Sequence, residues 1–306
     1  MYEFTECPGR TTDAYMRHIN GLMEIIRVRG PEVHTEGLAH GIFQVLRAHG
    51  IFHGLHRRRV TFLSQPEWLS VPWGSSFKDP HDLLVDIFLE IPSVVHSIDI
   101  LKSKMDNPSE ETEHGWDIVA NCLRIDASLK NWLSDYSAAS AGPLYWPELS
   151  TIASETDSER TGKLFPVAFN FPSFGVGETM VLYWTVCVLL HSYHALVYRK
   201  LLAVQEKSCY QTGAGDDRNS SSNDIIRQLE CQQDSLETSA RCICQSVHYF
   251  CGDARRNIGS STILPSLVVL RAIFLHAPGD WSRAEAWVGE KLSQIQGMGN
   301  DYVAFI

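Results

Sequence analysis

ETMVLYWTVCVLLHSYHALVYRKLLAVQEK, residues 178–207, is the stretch whose reading decides the fold. It runs about eight turns without Gly or Pro, is apolar on nearly every side through 181–190, and turns polar only after Arg199. A helix that is apolar all round has to be surrounded. Its length is close to that of a bilayer span, but Trp184, Thr185, His191, His194 and Tyr198 interrupt it, and polar groups are costly in lipid. The expectation is therefore the central buried helix of a globular core, with no membrane span.

Working outward, helical periodicity recurs on both sides. Thr11–Thr12–Asp13 offers N-cap chemistry for a helix that places Tyr15, Ile19, Leu22, Ile25 and Ile26 on one face before Gly30–Pro31 stops it. Residues 35–49 repeat the pattern with Leu38, Ile42, Phe43, Val45 and Leu46, and Gly50 marks at most a kink before 51–60. The segment 64–80, SQPEWLSVPWGSSFKDP, reads as a connection pinned by Trp68 and Trp73. Further helices are expected over 81–104, 110–139, 224–251, 263–276 and 281–297, the last begun by Asp280. Residues 142–177 show neither regular period and read as a long ordered crossover plugged by aromatics. Residues 208–223, SCYQTGAGDDRNSSSN, have no core-forming side chains and read as a flexible insertion. No strand pair, internal repeat or heptad run stands out. The predicted architecture is all-α: a single multi-helix orthogonal bundle over 1–306, built around the central helix, with long aromatic-rich loops.

With 306 residues and 44% hydrophobic content, the chain can bury a large core. A net charge of -10 argues against general affinity for nucleic acid, because phosphate binding needs concentrated Lys and Arg. The start MYEFTECPGRTTD lacks the basic and apolar regions of a secretory signal, so an intracellular protein, cytoplasmic or nuclear, is expected. The eight irregularly spaced cysteines fit reduced, structural thiols.

The common catalytic signatures are missing: there is no dinucleotide fingerprint, phosphate loop, His-Glu-x-x-His or nucleophile elbow. What remains is a set of polar groups on the central helix. His191, His194 and Tyr198 fall at i, i+3 and i+7, on one side, with Trp184 one heptad earlier. Three readings are open: satisfied core histidines, donors lining a pocket, or part of a metal site lacking an assignable third ligand. Cys244, His248 and Cys251 share a helix face near Cys242, but zinc sites favour paired cysteines on turns, so a core role is expected. The run His53-Gly-Leu-His56-Arg57-Arg58-Arg59 is the one dense basic cluster, suited to a solvated helix end or to an anionic partner.

Five stretches in order, HINGLMEIIRVRGP (18–31), RRRVTFLSQPEWLSVPW (57–73), LKNWL (129–133), VLYWTVCVLLHSYHALVYRKLL (181–202) and ILPSLVVLRAIF with AEAWVGEKLSQIQGMG (263–274, 284–299), carry a family likeness. Together they resemble the regulatory (middle-homology) domain of fungal binuclear-zinc-cluster transcription factors. In such regulators a six-cysteine zinc cluster precedes the helical domain. This sequence has no Cys-x2-Cys-x6-Cys run, and Cys7 stands alone, so no direct sequence-specific DNA binding is expected. The helices that precede the His18-x-x-Gly21 region in that family are also absent, which would leave a groove or cavity against the central helix.

Two functions follow from the resemblance. In the first, the inherited cavity serves fungal secondary metabolism as a pocket for an apolar small molecule, repurposed as a cofactor-free isomerase or cyclase such as a pericyclase. His191 and Tyr198 would then be catalytic donors, while Trp184, His194, His248 and Tyr249 would line the substrate site, with no metal and no cofactor. In the second, the domain is a transcriptional co-regulator of a biosynthetic gene cluster, acting through a metabolite or through protein partners, a zinc-cluster factor or a second copy of itself. The first predicts that the His191–Tyr198 side of the central helix faces an empty, ligand-sized space.

Overall fold

A computed structural model describes residues 12–74, 76–103, 108–158, 160, 162–212, 218–252, 256–277 and 279–297, and over these the chain is all-α apart from one small hairpin. The helices are α1 (Thr12–Arg29), α2 (Gly37–Arg57), α3 (Pro66–Ser70), α4 (Pro80–Phe88), α5 (Ile91–Lys102), α6 (Pro108–Ala139), α7 (Phe174–Thr212), α8 (Arg218–Cys251), α9 (Arg256–His276) and α10 (Ser282–Gln296). The stretch 178–207 lies wholly within α7, which packs against α4, α5, α6, α8 and α9. Met180, Val186, Val188, Leu190 and Val197 point in different directions around its axis, and all are buried. The apolar-all-round pattern is satisfied by protein on every side. α7 and α9 are both long and apolar enough to cross a membrane, and 72% and 50% of their most apolar windows are buried against the rest of the chain.

Specific bonds lock the neighbours of α7 in place. The Thr185 and Ser266 hydroxyls meet at 2.8 Å between α7 and α9. Trp132 of α6 donates its indole N–H to the Pro80 carbonyl at the start of α4, 2.8 Å away, and its ring stacks on Tyr183 of α7. At the α8–α9 crossing the backbones nearly touch: a Cβ on Gly259 would sit 2.0 Å from the Phe250 carbonyl oxygen. Only glycine permits that approach.

Several boundaries differ from the sequence expectation. The single helix expected over 81–104 is two, because Pro92 in the first turn of α5 cannot continue the ladder of α4. The connection at 64–80 contains helical turns at Phe62–Ser64, Pro66–Ser70 and Val71–Trp73, with Trp68 and Trp73 buried as anchors. α9 begins at Arg256, well before residue 263, and carries Pro265 inside it. α10 is preceded by Trp281 rather than capped by Asp280 in the usual position, although the Asp280 carboxylate still accepts from the Ser282 N–H and hydroxyl. The crossover at 142–177 holds an antiparallel pair, β1 (Trp146–Leu149) with β2 (Val167–Asn170), in the register Trp146↔Asn170 to Leu149↔Val167. Four-residue strands, one containing Pro147, are too short for a period-2 signal. Of the insertion expected at 208–223, α7 takes up 208–212 and α8 takes up 218–223, and 213–217 lie outside the described residues.

At the amino-terminal end the expected apolar faces are rearranged. α1 buries Ile19, Met23 and Ile26, while Ile25 is exposed; the side chain of Tyr15, and Thr11, lie outside the described residues. α2 runs unbroken through Gly50 and buries Phe43, Arg47, Gly50, Ile51 and Gly54, leaving Leu38, Ile42 and Val45 in solvent. Gly50 makes room for its neighbours, since a Cβ there would meet the Leu63 side chain at 2.4 Å and the Met23 sulfur at 3.1 Å.

Candidate functional site

The six residues singled out on the sequence fall into two groups, because Trp184 and Tyr198 are 14 residues, roughly 21 Å, apart along α7. The first group lies under the hairpin. Trp184 is buried among Tyr145, Phe169 and Phe171, with ring centroids 5.2, 5.8 and 6.3 Å away, and Phe171 in turn meets Tyr249 of α8 at 4.9 Å. Edge and tilted contacts of this kind are the ordinary geometry of an aromatic core. His248 lies at its rim, where Nε2 shares a 3.2 Å hydrogen bond with the Thr151 hydroxyl while Nδ1 is buried without a partner.

The second group faces α6 and α8. His191, His194 and Tyr198 are 7%, 1% and 2% exposed. His191 Nδ1 bonds the Gln232 side-chain oxygen of α8 at 2.7 Å, and its Nε2 lies 4.0 Å from the Asp126 carboxylate of α6. Asp126 is held in turn by Lys130, one turn along α6, at 2.6 Å. The His194 ring stacks on Tyr198 at 4.6 Å, and Tyr198 meets Trp116 of α6 edge-on at 6.3 Å. The space expected beside this face of α7 is thus occupied by Gln232, Asp126 and Trp116: α8 and α6 close over it because both helices are long enough to lie along α7.

Burial sets the protonation of this group. Desolvation lowers the pKa of His191, against the raising influence of Gln232 and Asp126. Desolvation and the neighbouring His191 push His194 down to about 4, so both rings are neutral at pH 7. His194 Nε2 has no hydrogen-bond partner. A neutral buried imidazole can give or take a proton only if a substrate reaches it. Desolvation also raises Tyr198, which keeps its hydroxyl protonated.

Among the described thiols Cys231 is exposed, and the other five behave as core groups. Burial raises Cys122 and Cys187 to about 12 and Cys242 to about 11, with Cys244 and Cys251 shifted the same way, so none of these five carries a thiolate to serve as nucleophile or ligand. Cys7 and the Cys209 side chain lie outside the described residues. No three of Cys242, Cys244, His248 and Cys251 come close enough to share an ion. Among the described residues, Asp79, His81 and Asp82 are the trio close enough to share an ion. Three of their four carboxylate oxygens already accept hydrogen bonds: Asp79 caps α4 by accepting from the Asp82 N–H at 2.8 Å, and Asp82 accepts from Arg47 at 3.1 Å and Gln44 at 3.2 Å.

Arg47 is a feature that the sequence reading did not single out. It is 1% exposed, faces Asp82 and Asp86 on α4, and lies over the Trp73 ring at 5.2 Å, with Lys78 also bonded to Asp86. Burial and Asp79 push Asp82 upward, against the pull of Arg47. A half-open cleft of about 340 Å³ adjoins this cluster, lined by Ser64, Leu69, Asp86, Ile87, Glu90 and Ser93. Its carboxylates are matched in charge, Asp86 by Arg47 and Lys78 and Glu90 by Arg124. The basic run is equally committed at its centre. Arg58, in a left-handed conformation (φ 52°) at the end of α2, donates twice to Asp99 at 2.6 and 2.7 Å.

Comparison with known proteins adds little to this geometry. A protein of Emericella nidulans, described only as uncharacterized, is 36% identical over 56 residues, which is 18% of this chain and 12% of that protein. No protein-family profile matches the chain, and no solved structure matches it.

Proposed function

We propose that this chain is a helical regulatory domain that acts through a protein partner and does not read DNA itself. The observation that carries this reading is the burial of the polar groups on α7. His191 and Tyr198 are covered by Gln232, Asp126 and Trp116, which leaves no addressed donor for a substrate, while apolar side chains are exposed on α2 instead. The resemblance of the five stretches to the regulatory domain of zinc-cluster factors points the same way, and the charge of -10 speaks against a nucleic-acid partner. Such a role is exercised inside the cell, in the cytoplasm or the nucleus. Affinity purification of the tagged chain from a fungal host, with mass spectrometry, is expected to recover a zinc-cluster factor in stoichiometric amount. Absence of any such partner, with saturable thermal stabilisation by polyketide or terpenoid intermediates, would overturn the reading.

One observation favours the second reading, a cofactor-free isomerase or cyclase. His194 is a neutral ring with a buried, unpartnered nitrogen next to His191 and Tyr198, and an apolar substrate admitted there would meet a ready hydrogen-bond acceptor. Trp184, His248 and Tyr249 would then line the far end. Product formation by the purified protein, lost in His191→Ala and Tyr198→Phe with folding retained, is the result that would establish it.

A further inference from the structure

The first half of the outward face of α2 carries apolar side chains that the described residues leave largely uncovered. Leu38, Ile42 and Val45 fall within roughly 60° of one another around the helix, and the buried stripe Phe43, Arg47, Gly50 and Gly54 lies roughly 150° away. Leu38 is 82% exposed, and Ile42 and Val45 about half exposed. Of the seventeen large apolar side chains exposed among the described residues, seven (Ile25, Val28, Val33, Leu38, Ile42, Val45, Val60) lie between positions 25 and 60, so the excess belongs to this end. Beside the stripe, Gly41 has ordinary helical φ, and a Cβ there would meet nothing within 4 Å. No described residue requires that glycine, although glycine within a helix costs about 1 kcal/mol relative to alanine. It leaves the α2 backbone open to the close approach of another helix.

The charge of the same region selects the occupant. Of the seven arginines in residues 12–60, Arg27 is paired with Glu24, Arg47 with Asp82 and Asp86, and Arg58 with Asp99, so the positive charge open to a partner along α2 sits at its end, on Arg57 and Arg59. His49 and His56 continue the line of the stripe toward the end of α2, where Arg57 and Arg59 are exposed and make no ion pair with a described residue. An arginine at a helix C-terminus also favours its own helix dipole, but that needs no adjacent apolar stripe. From Leu38 to Arg57 is roughly 28 Å, the length of a five-turn helix.

Resting on the reading of the chain as a partner-binding domain, we infer that α2 is the docking surface for an acidic amphipathic helix of another protein. Its apolar side lies on Leu38, Ile42 and Val45, with its backbone close to Gly41, and its carboxylates meet Arg57 and Arg59.

The test uses the full chain and a fluorescein-labelled 20-residue helical peptide with a leucine stripe flanked by glutamates. A second peptide has lysine in place of each glutamate. Fluorescence anisotropy is expected to give saturable binding of the acidic peptide, at least tenfold tighter than the lysine version. Ile42→Asp should weaken it at least tenfold. Arg57→Glu with Arg59→Glu should weaken it about fivefold and flatten its dependence on salt. Leu149→Asp, on β1, should leave it unchanged. These are surface changes, and circular dichroism checks that each variant is folded. Equal binding of the lysine peptide, or no effect of Ile42→Asp, overturns the inference. So does self-association that Ile42→Asp disperses without any peptide affinity, which would assign the face to a second copy. If the acidic peptide fails while a zinc-cluster factor still co-purifies, only this surface is refuted; if both fail, so is the regulatory reading.

Discussion

His194 turns burial into a measurable pH dependence. Its pKa in the folded protein is about 4 against an ordinary 6.5, so between these values the unfolded chain binds a proton that the folded chain refuses. Stability from this residue is therefore complete above pH 6.5 and is lost as the pH falls toward 4, roughly 3 kcal/mol in all and roughly 2 by pH 5. His191 is shifted in the same direction and adds to the loss. Urea unfolding at pH 7 and pH 5 should show the drop, and His194→Phe, which keeps a ring against Tyr198, should flatten it. An unchanged slope in that variant would mean that His194 titrates freely. The His191–Gln232 bond gives a second prediction. Truncating either partner to Ala leaves a buried polar group on the other, at a cost of about 1–3 kcal/mol, and the double variant should lose less than the sum of the two. At this scale the sequence showed which residues share a side of α7, because helical spacing alone fixes that. It did not show what covers them: Gln232 is 41 positions from His191, and nothing local to either announces their contact.

The joints between elements rest on two residues whose importance only the packing reveals. Gly259 of α9 faces the Phe250 backbone of α8, and backbone, unlike a flexible side chain, cannot move aside for a new Cβ. Gly259→Ala should thus force the two helices apart and cost about 3 kcal/mol or more, read as a lowered urea midpoint. Arg47 fastens α2 to α4 through Asp82 and Asp86. Arg47→Ala leaves Asp82 buried without its cation, while Asp86 keeps Lys78, and is expected to cost about 3 kcal/mol, whereas Arg47→Met with Asp82→Asn should recover part of it. If Arg47→Ala were neutral, the pair would contribute nothing to the α2–α4 joint. The long helices were legible because their apolar period persists for many turns, and the α4–α5 break carries its proline in plain view. The hairpin of Trp146–Leu149 and Val167–Asn170 was not, since its partners are separated by a long loop and each strand is four residues long. On α2 the periodicity was real but incomplete: two apolar stripes are present, and only tertiary contacts decide that Phe43 and Ile51 go in while Leu38 and Ile42 stay out.

For the molecule as a whole, α7 is the common neighbour of five other helices, and the amino-terminal unit joins it through α2, which packs on α4 and α5. Folding should therefore be one cooperative event, with no separately stable half. The tryptophans make this testable, because buried rings report on distant parts: Trp68 and Trp73 beside α2, Trp132 and Trp184 in the middle, and Trp287 on α10. Tryptophan fluorescence and far-ultraviolet circular dichroism should give coincident urea transitions with one midpoint. A variant that loosens only the amino-terminal joint, Arg47→Ala, should shift the single transition as a whole rather than split it. An early step confined to Trp68 and Trp73, seen by returning each as the sole tryptophan, would show that α1–α4 melt on their own. The exposed stripe of α2 would then belong to a unit that needs a partner to be stable. The number of transitions, compared with and without the acidic peptide, separates a rigid docking face from one that orders as it binds.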